Sequence, residues 1–280
     1  MTAVTEAPAV TDANGYEHII WTGPDADGVA TLTFNRPELR NAFNEQMYAE
    51  LTDVLRPLRN ADHIGAVLVT GAGDAFCAGG DFSMIGRFSE SEAYQRRIMD
   101  QGVQLPQDWL RVRPPIVAAV NGHAMGLGAN LALLSDIVVM SEKARIGDTH
   151  VRAGIVAGDG GALIWPLLIG PNRAKELLMT GNQVTAPDAW RMGLVNHVEP
   201  PENVLPRARE LALQLATGPR HAIAWTKQAV NLSMLREATW MLTLTNAQES
   251  RTMAQADVAE GVAAFQEGRK PVWPSTLPES

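Results

Sequence analysis

Three stretches of this sequence concentrate residues able to do chemistry. Phe76-Cys77-Ala78-Gly79-Gly80-Asp81 and Asn121-Gly122-His123-Ala124-Met125-Gly126-Leu127-Gly128 are glycine-rich turns, each following an apolar run. Glycine permits unusual backbone angles and close approach, so such turns either only reverse the chain or also offer free N–H groups to an oxygen that gains negative charge, as in an oxyanion hole. The third stretch is Asp148-Thr149-His150, followed by Asp159 in a Gly-Asp-Gly turn. An imidazole held by a carboxylate is a competent base: the carboxylate fixes its tautomer and stabilises the imidazolium, and an ordinary pKa of about 6.5 suits neutral pH. Asp159 pairs with His150 in this reading and Asp148 is a further candidate. The plainer alternative is a hydrogen-bonded loop histidine and a turn aspartate that caps local backbone.

Other chemistries fall away on spacing. Gly126-Leu127-Gly128 lacks a third glycine at Leu131, and Gly71-Ala72-Gly73 lacks one at Phe76, so neither completes the dinucleotide motif. A Walker lysine loop and a G-x-S-x-G elbow are missing as well. Cys77 is the only cysteine, which excludes an internal disulfide and fits a reducing cytoplasm; it reads as a small core residue, and no metal site is expected. With 23 basic and 31 acidic side chains among 280 residues, the net charge of −8 argues against a nonspecific binder of nucleic acid or anionic membrane. The most apolar stretch, 115–140, is broken by Asn121, His123, Asn130 and Asp136, so no transmembrane segment is predicted.

The elements that must position these residues alternate. Strands are predicted over 28–34, 66–70, 116–120 and 136–140, and helices over 45–59, around 90–103 and over 127–135. Short apolar strands separated by helices indicate a mostly parallel α/β sheet covered on both faces. After about Gly170 the strands fade and helices are predicted over 173–179, 186–192, 204–216, 221–242 and 258–266. Residues 1–15 read as a flexible tail, 16–200 as the α/β core and 201–280 as a C-terminal helical region.

The ordered motifs Asn35-Arg36-Pro37…Asn41-Ala42-Phe43, Phe76-Cys77-Ala78-Gly79-Gly80-Asp81, Ala118-Ala119-Val120-Asn121-Gly122-His123-Ala124…Gly126…Gly128, Leu178-Met179-Thr180-Gly181, Gly193-Leu194-Val195 and Phe265…Arg269-Lys270-Pro271 together resemble the enoyl-CoA hydratase/isomerase (crotonase) superfamily over roughly residues 17–273. The resemblance implies a spiral of ββα units with a C-terminal helical trimerisation region, assembled as a homotrimer or dimer of trimers. It implies an acyl-CoA substrate with no separate cofactor, and a thioester oxygen held by the backbone N–H groups of Gly80 and Leu127. The family's CoA-binding loops correspond to the stretch from Arg36 to Arg40 and to Ala78 and Gly79, with Asp81, His123, Trp165 and Lys270 as further substrate-binding candidates.

The chain departs from the hydratases of that superfamily where they carry two catalytic glutamates, for here the positions hold Asn130 and His150. Asparagine orients water but is no base. The spacing of His150 and Asp159 resembles the β-diketone hydrolase branch, typified by 6-oxocamphor hydrolase, in which a His/Asp pair activates water for C–C cleavage. That branch also uses a histidine in the second oxyanion loop, where this chain has Leu127. The leading expectation is an enzyme that stabilises a thioester enolate, enoyl-CoA hydratase/isomerase-like. The alternatives are a C–C bond hydrolase of β-diketones acting on a small carbonyl substrate, and a non-catalytic acyl-CoA-binding protein.

Overall fold

The computed structural model describes residues 15–88 and 91–276. The expected tail, apart from Gly15, lies outside them. The chain proceeds in strand–strand–helix units: β1 (Ile19–Thr22), β2 (Val29–Phe34) and α1 (Glu45–Leu58); β3 (Ala66–Gly71) and β4 (Ala75–Cys77) with α2 (Phe82–Arg87) and α3 (Glu92–Arg111); β5 (Ile116–Val120), β6 (His123–Met125) and α4 (Leu127–Leu134); β7 (Ile137–Ser141), β8 (Arg145–Gly147) and α5 (Gly161–Ile169). They are followed by α6 (Pro171–Thr180), β9 (Val184–Thr185), α7 (Ala186–Met192), β10 (His197–Glu199), α8 (Pro201–Ala216), α9 (Arg220–Met253) and α10 (Ala256–Glu267).

From β3 onward each unit gives its first strand to one sheet and its second to another. The larger sheet runs β1-β2-β3-β5-β7-β10 and the smaller β4-β6-β8-β9, which is the ββα spiral. In the larger sheet β2, β3, β5, β7 and β10 are parallel and only β1 is antiparallel. Alternate residues then serve two cores: Val69, Ala118 and Val138 lie in register facing the main core, while Leu68, Val117 and Val139 pack against Val204, Ala208 and Ala212 of α8. Both faces are buried, which is why these strands read as continuous apolar runs.

Several elements were hidden from pattern reading. The strands β4, β6, β8 and β9 have two or three residues each, too few to show an alternation. The strands do not end near Gly170, since β9 and β10 follow it. The segment behind Asp159 is helix α5, whose sequence GALIWPLLI is apolar all round because it sits inside the protein. The helix α3 continues through Pro106 to Arg111, and α9 runs 34 residues to Met253 rather than stopping near Leu242. That last extension brings its C-terminal turns to the mouth of the β4 and β6 loops. No helix among the described residues is long and apolar enough to cross a membrane.

Candidate active site

The first glycine turn follows β4 and is held by residues far upstream. Asn41, fully buried, donates its amide to the carbonyls of Ala72 and Ala75 at 2.9 Å each, and Arg36 reaches the Asp81 carboxylate at 3.1 Å and the Ala42 carbonyl. Phe43 N–H donates to Gly79 O and Asp81 N–H to Phe43 O, a parallel bridge that leaves the N–H of Gly80 directed away from Phe43. Gly80 lines a cleft together with Ala78, Gly79 and Asp81. The guanidinium of Arg36 therefore braces this loop.

The second turn ends at the start of α4. Leu127 is its first helical residue, so its N–H has no partner within the helix. A Cβ added at Gly79 would meet the Met125 carbonyl at 3.0 Å, so the two turns lie directly against each other. Gly128 lets α4 press onto β4, for a Cβ there would come within 2.5 Å of the Cys77 carbonyl. Gly126, at φ +52°, sits beneath the imidazole of His150: a Cβ there would meet His150 Cε1 at 3.4 Å. Gly80, Gly126 and the histidine thus line one cleft, with Leu127 next in the chain after Gly126.

His150 opens the short 3-10 turn after β8 and lies between two carboxylates. Its Nδ1 is 2.6 Å from Asp148 Oδ1 and its Nε2 is 3.3 Å from Asp159 Oδ2. Both aspartates therefore partner it. Asn130, fully buried on α4, donates Nδ2 to Asp148 Oδ2 at 3.1 Å and to Asp159 Oδ1 at 2.8 Å, while its Oδ1 accepts from Trp165 Nε1 at 3.1 Å. Burial opposes a charge on the imidazole, but Asp159 and Asp148 outweigh it and hold its pKa well above the ordinary value. Burial likewise opposes the Asp148 carboxylate, and His150 more than compensates, so its pKa is lowered. The sequence suggests a neutral imidazole base near its ordinary pKa. The pair of carboxylates instead makes it an imidazolium at neutral pH.

Asp148, His150 and Asp159 offer ligand atoms within 4.8 Å of one another. They do not fit a cation, because each imidazole nitrogen is turned to a carboxylate and the Asn130 amide donates to both acids.

The sequence reading missed Glu249. It lies on α9, is 5% exposed, lines the same cleft as Asp159 and leaves Oε2 without a hydrogen-bond partner. Burial, then the charge of Asp159, pushes its carboxyl up to about 8. Ninety residues of chain separate it from Asp159, and a glutamate in a polar helical stretch reads as a solvated face. The signal that could have found it is the spacing of Asn246, Glu249 and Met253 at i, i+3 and i+7, once α9 is carried past Leu242. Tyr48 of α1 also reaches the cleft, and burial and Asp159 push its phenol well up.

Of the residues singled out from sequence, the cleft collects Ala78, Gly79, Gly80, Asp81, His150 and Asp159. Asn130 and Trp165 stand behind it as supports of the aspartates. His123 does not reach it: its Nδ1 accepts the Arg145 N–H at 3.0 Å, tying β6 to β8 on the outside. Lys270 is exposed beyond α10 and does not line the cleft. Arg40 is exposed, with its carbonyl accepting from Ala78 N–H at 2.9 Å, so it sits beside the cleft without lining it. Cys77 is buried, and burial pushes its thiol up to about 12, which removes it as a nucleophile.

The fold agrees with that of relatives. A family model described as enoyl-CoA hydratase/isomerase matches residues 25–276. The chain is 33% identical to a probable mitochondrial enoyl-CoA hydratase of Dictyostelium discoideum over 88% of its own length and 87% of that protein. It is 34% identical to the 1,2-epoxyphenylacetyl-CoA isomerase of Escherichia coli strain K12, covering 87% of this chain and 94% of the other. Among solved structures, an enoyl-CoA hydratase/isomerase from Mycobacterium paratuberculosis superposes with a TM-score of 0.83 at 34% identity, covering 88% of this chain and 97% of that one. An ordered set of glycine turns, a ββα spiral and near-full-length similarity agree, and the chain belongs to the enoyl-CoA hydratase/isomerase family.

Proposed function

We propose that this enzyme adds water to the double bond of an enoyl-CoA, with Asp159 as the base and Glu249 as the acid. The observation that carries the reading is a pair of cleft-lining carboxyls whose surroundings differ. Asp159 faces the His150 imidazolium and receives the Asn130 N–H, whereas Glu249 is buried with no cation at hydrogen-bond distance among the described residues and keeps its proton at neutral pH. A carboxyl pushed up to about 8 beside one that meets a cation supplies an acid and a base in one pocket. Asp159 takes a proton from water as its oxygen bonds to the β-carbon, and Glu249 delivers a proton to the α-carbon. The N–H groups of Gly80 and Leu127 hold the thioester oxygen while it carries the enolate charge. The proton then passes from Asp159 back to Glu249, with His150 beside both, and the balance is one water added.

The CoA portion would leave past Ala78 and Arg40, where the exposed guanidinium meets a phosphate. No separate cofactor enters these steps. The exposed apolar side chains Trp225, Leu232, Trp240 and Leu244 of α9 favour assembly as a homotrimer or a dimer of trimers. A single, buried Cys77 favours a reducing cytoplasm.

The test is mass-spectrometric turnover on a panel of enoyl-CoAs, β-ketoacyl-CoAs and cyclic β-diketones in heavy-oxygen water. One labelled oxygen gained by an enoyl-CoA, lost in Asp159→Asn, is the expected result. Double-bond migration without label would replace hydration by isomerisation. Ring opening of a free diketone would move the enzyme to C–C hydrolysis, and tight acyl-CoA binding with no turnover would make it a binding protein.

A further inference from the structure

Glu249 is not the only polar group that α9 directs at the cleft. Asn246, one turn earlier, is 2% exposed and lines the same cleft, and its Nδ2 has no hydrogen-bond partner among the described residues. It packs on Gly102 of α3, whose absent Cβ makes the room: a Cβ there would stand 2.3 Å from Asn246 Nδ2. Gln101, the neighbour of that glycine, also has a buried Oε1 with no partner, yet the two amides do not pair with each other. A buried amide left unpaired costs on the order of 1–3 kcal/mol. Met84, Ile85, Phe88, Ile98 and Met99 line the same cleft with apolar side chains.

From these observations we propose that Asn246 is a specificity residue that hydrogen-bonds a second, uncharged oxygen on the acyl chain, so that the preferred substrate is an oxygenated acyl-CoA rather than a plain alkyl one. This rests on the acyl-CoA reading of the site and names its substrate class. Three residues along a helix advance about 4.5 Å, which places Asn246 a few carbon atoms beyond the atoms that Asp159 and Glu249 act on. Rotation of its amide offers N–H or carbonyl oxygen, suiting a ketone or a hydroxyl alike. A carboxylate on the chain is disfavoured, because Asp148 and Asp159 already set two acids against the His150 imidazole beside the cleft.

The experiment is calorimetric binding of octanoyl-CoA and its 5-oxo and 6-oxo counterparts, which are saturated and cannot be hydrated, to wild-type protein and to Asn246→Leu. The leucine is close in volume and replaces an amide whose Nδ2 makes no hydrogen bond among the described residues, and a thermal melt checks that it folds; Asn246→Ala serves if it does not. The expected result is about tenfold tighter binding of one oxo chain over octanoyl-CoA in the wild type, as one hydrogen bond provides, and loss of that preference in the variant. Equal binding of all three chains to the wild type, or a preference that survives in Asn246→Leu, overturns the proposal. If no thioester binds, the acyl-CoA reading fails separately, and the subsite is then judged by the same criterion on cyclohexane-1,3-dione against cyclohexanone.

Discussion

Replacing Glu249 by glutamine tests whether this carboxyl is held neutral by its surroundings. Its pKa is moved from 4.5 to about 8, chiefly by burial. At about 1.36 kcal/mol per pH unit the ionised form is disfavoured by at most about 5 kcal/mol. Because the folded-state value is raised, the stabilisation it contributes is fully present below about pH 4.5, declines as pH rises and is gone above about pH 8. Glutamine does not titrate. Chemical denaturation of both proteins across pH 5 to 9 should therefore show the Gln variant gaining on wild type with rising pH, by several kcal/mol at the alkaline end. In the same variant, the alkaline limb of the kcat/KM profile near pH 8 should disappear while the remaining rate falls about 10²-fold or more, the usual contribution of a general acid. A stability difference that stays constant within about 0.5 kcal/mol over that range, about the scatter of independent sites, would refute the neutral-acid argument whatever the kinetics show.

Two further outcomes follow from the same contacts. Asp159→Asn removes the proposed base and one of the two carboxylates that hold the proton on His150, so kcat should fall about 10²-fold or more with a small change in KM, and the imidazole should titrate lower, read by NMR. Gly128→Ala forces a methyl to within 2.5 Å of the Cys77 carbonyl, where helix and strand backbones cannot give way cheaply; a loss of about 1–3 kcal/mol and a lower melting temperature are expected, and an unchanged melt would contradict the close packing of α4 on β4.

What could be read from the sequence divides by length scale. Strands such as Ile116–Val120 were legible because an apolar run of five residues carries its own signal, and helices such as Ala186–Met192 because Ala186, Ala189 and Trp190 recur at helical spacing before Gly193. The smaller sheet was not, since pairs such as Ala75 with His123 rest on tertiary bridging with almost no local pattern. At the site, the glycine turns and the His150–Asp159 pair were legible through spacing. Arg36 and His123 were misread because a polar residue in a loop looks alike whether it meets substrate or, as here, Asp81 or the Arg145 N–H. Glu249 depended on a contact that spans ninety residues, and no local rule reports such a contact.

The positions that carry the two glutamates in hydratases of this family have become supports here, and that substitution leads to a prediction opposite to the simple one. Putting a carboxylate back with His150→Glu re-creates, on paper, half of the usual machinery. In this protein it would remove the imidazole that stands between Asp148 and Asp159 and set a third acid at hydrogen-bond distance from both. Breaking a buried pair by deleting one partner costs about 3–5 kcal/mol, and here two pairs share the lost partner, so the variant should be destabilised at neutral pH and gain no hydratase activity. Acids forced together bind protons more tightly in the folded state, so its stability should recover as pH falls and the cluster protonates. A variant that melts with wild type at pH 7 and hydrates enoyl-CoA faster would mean that the aspartates are not held by His150, and that the base belongs at position 150 after all.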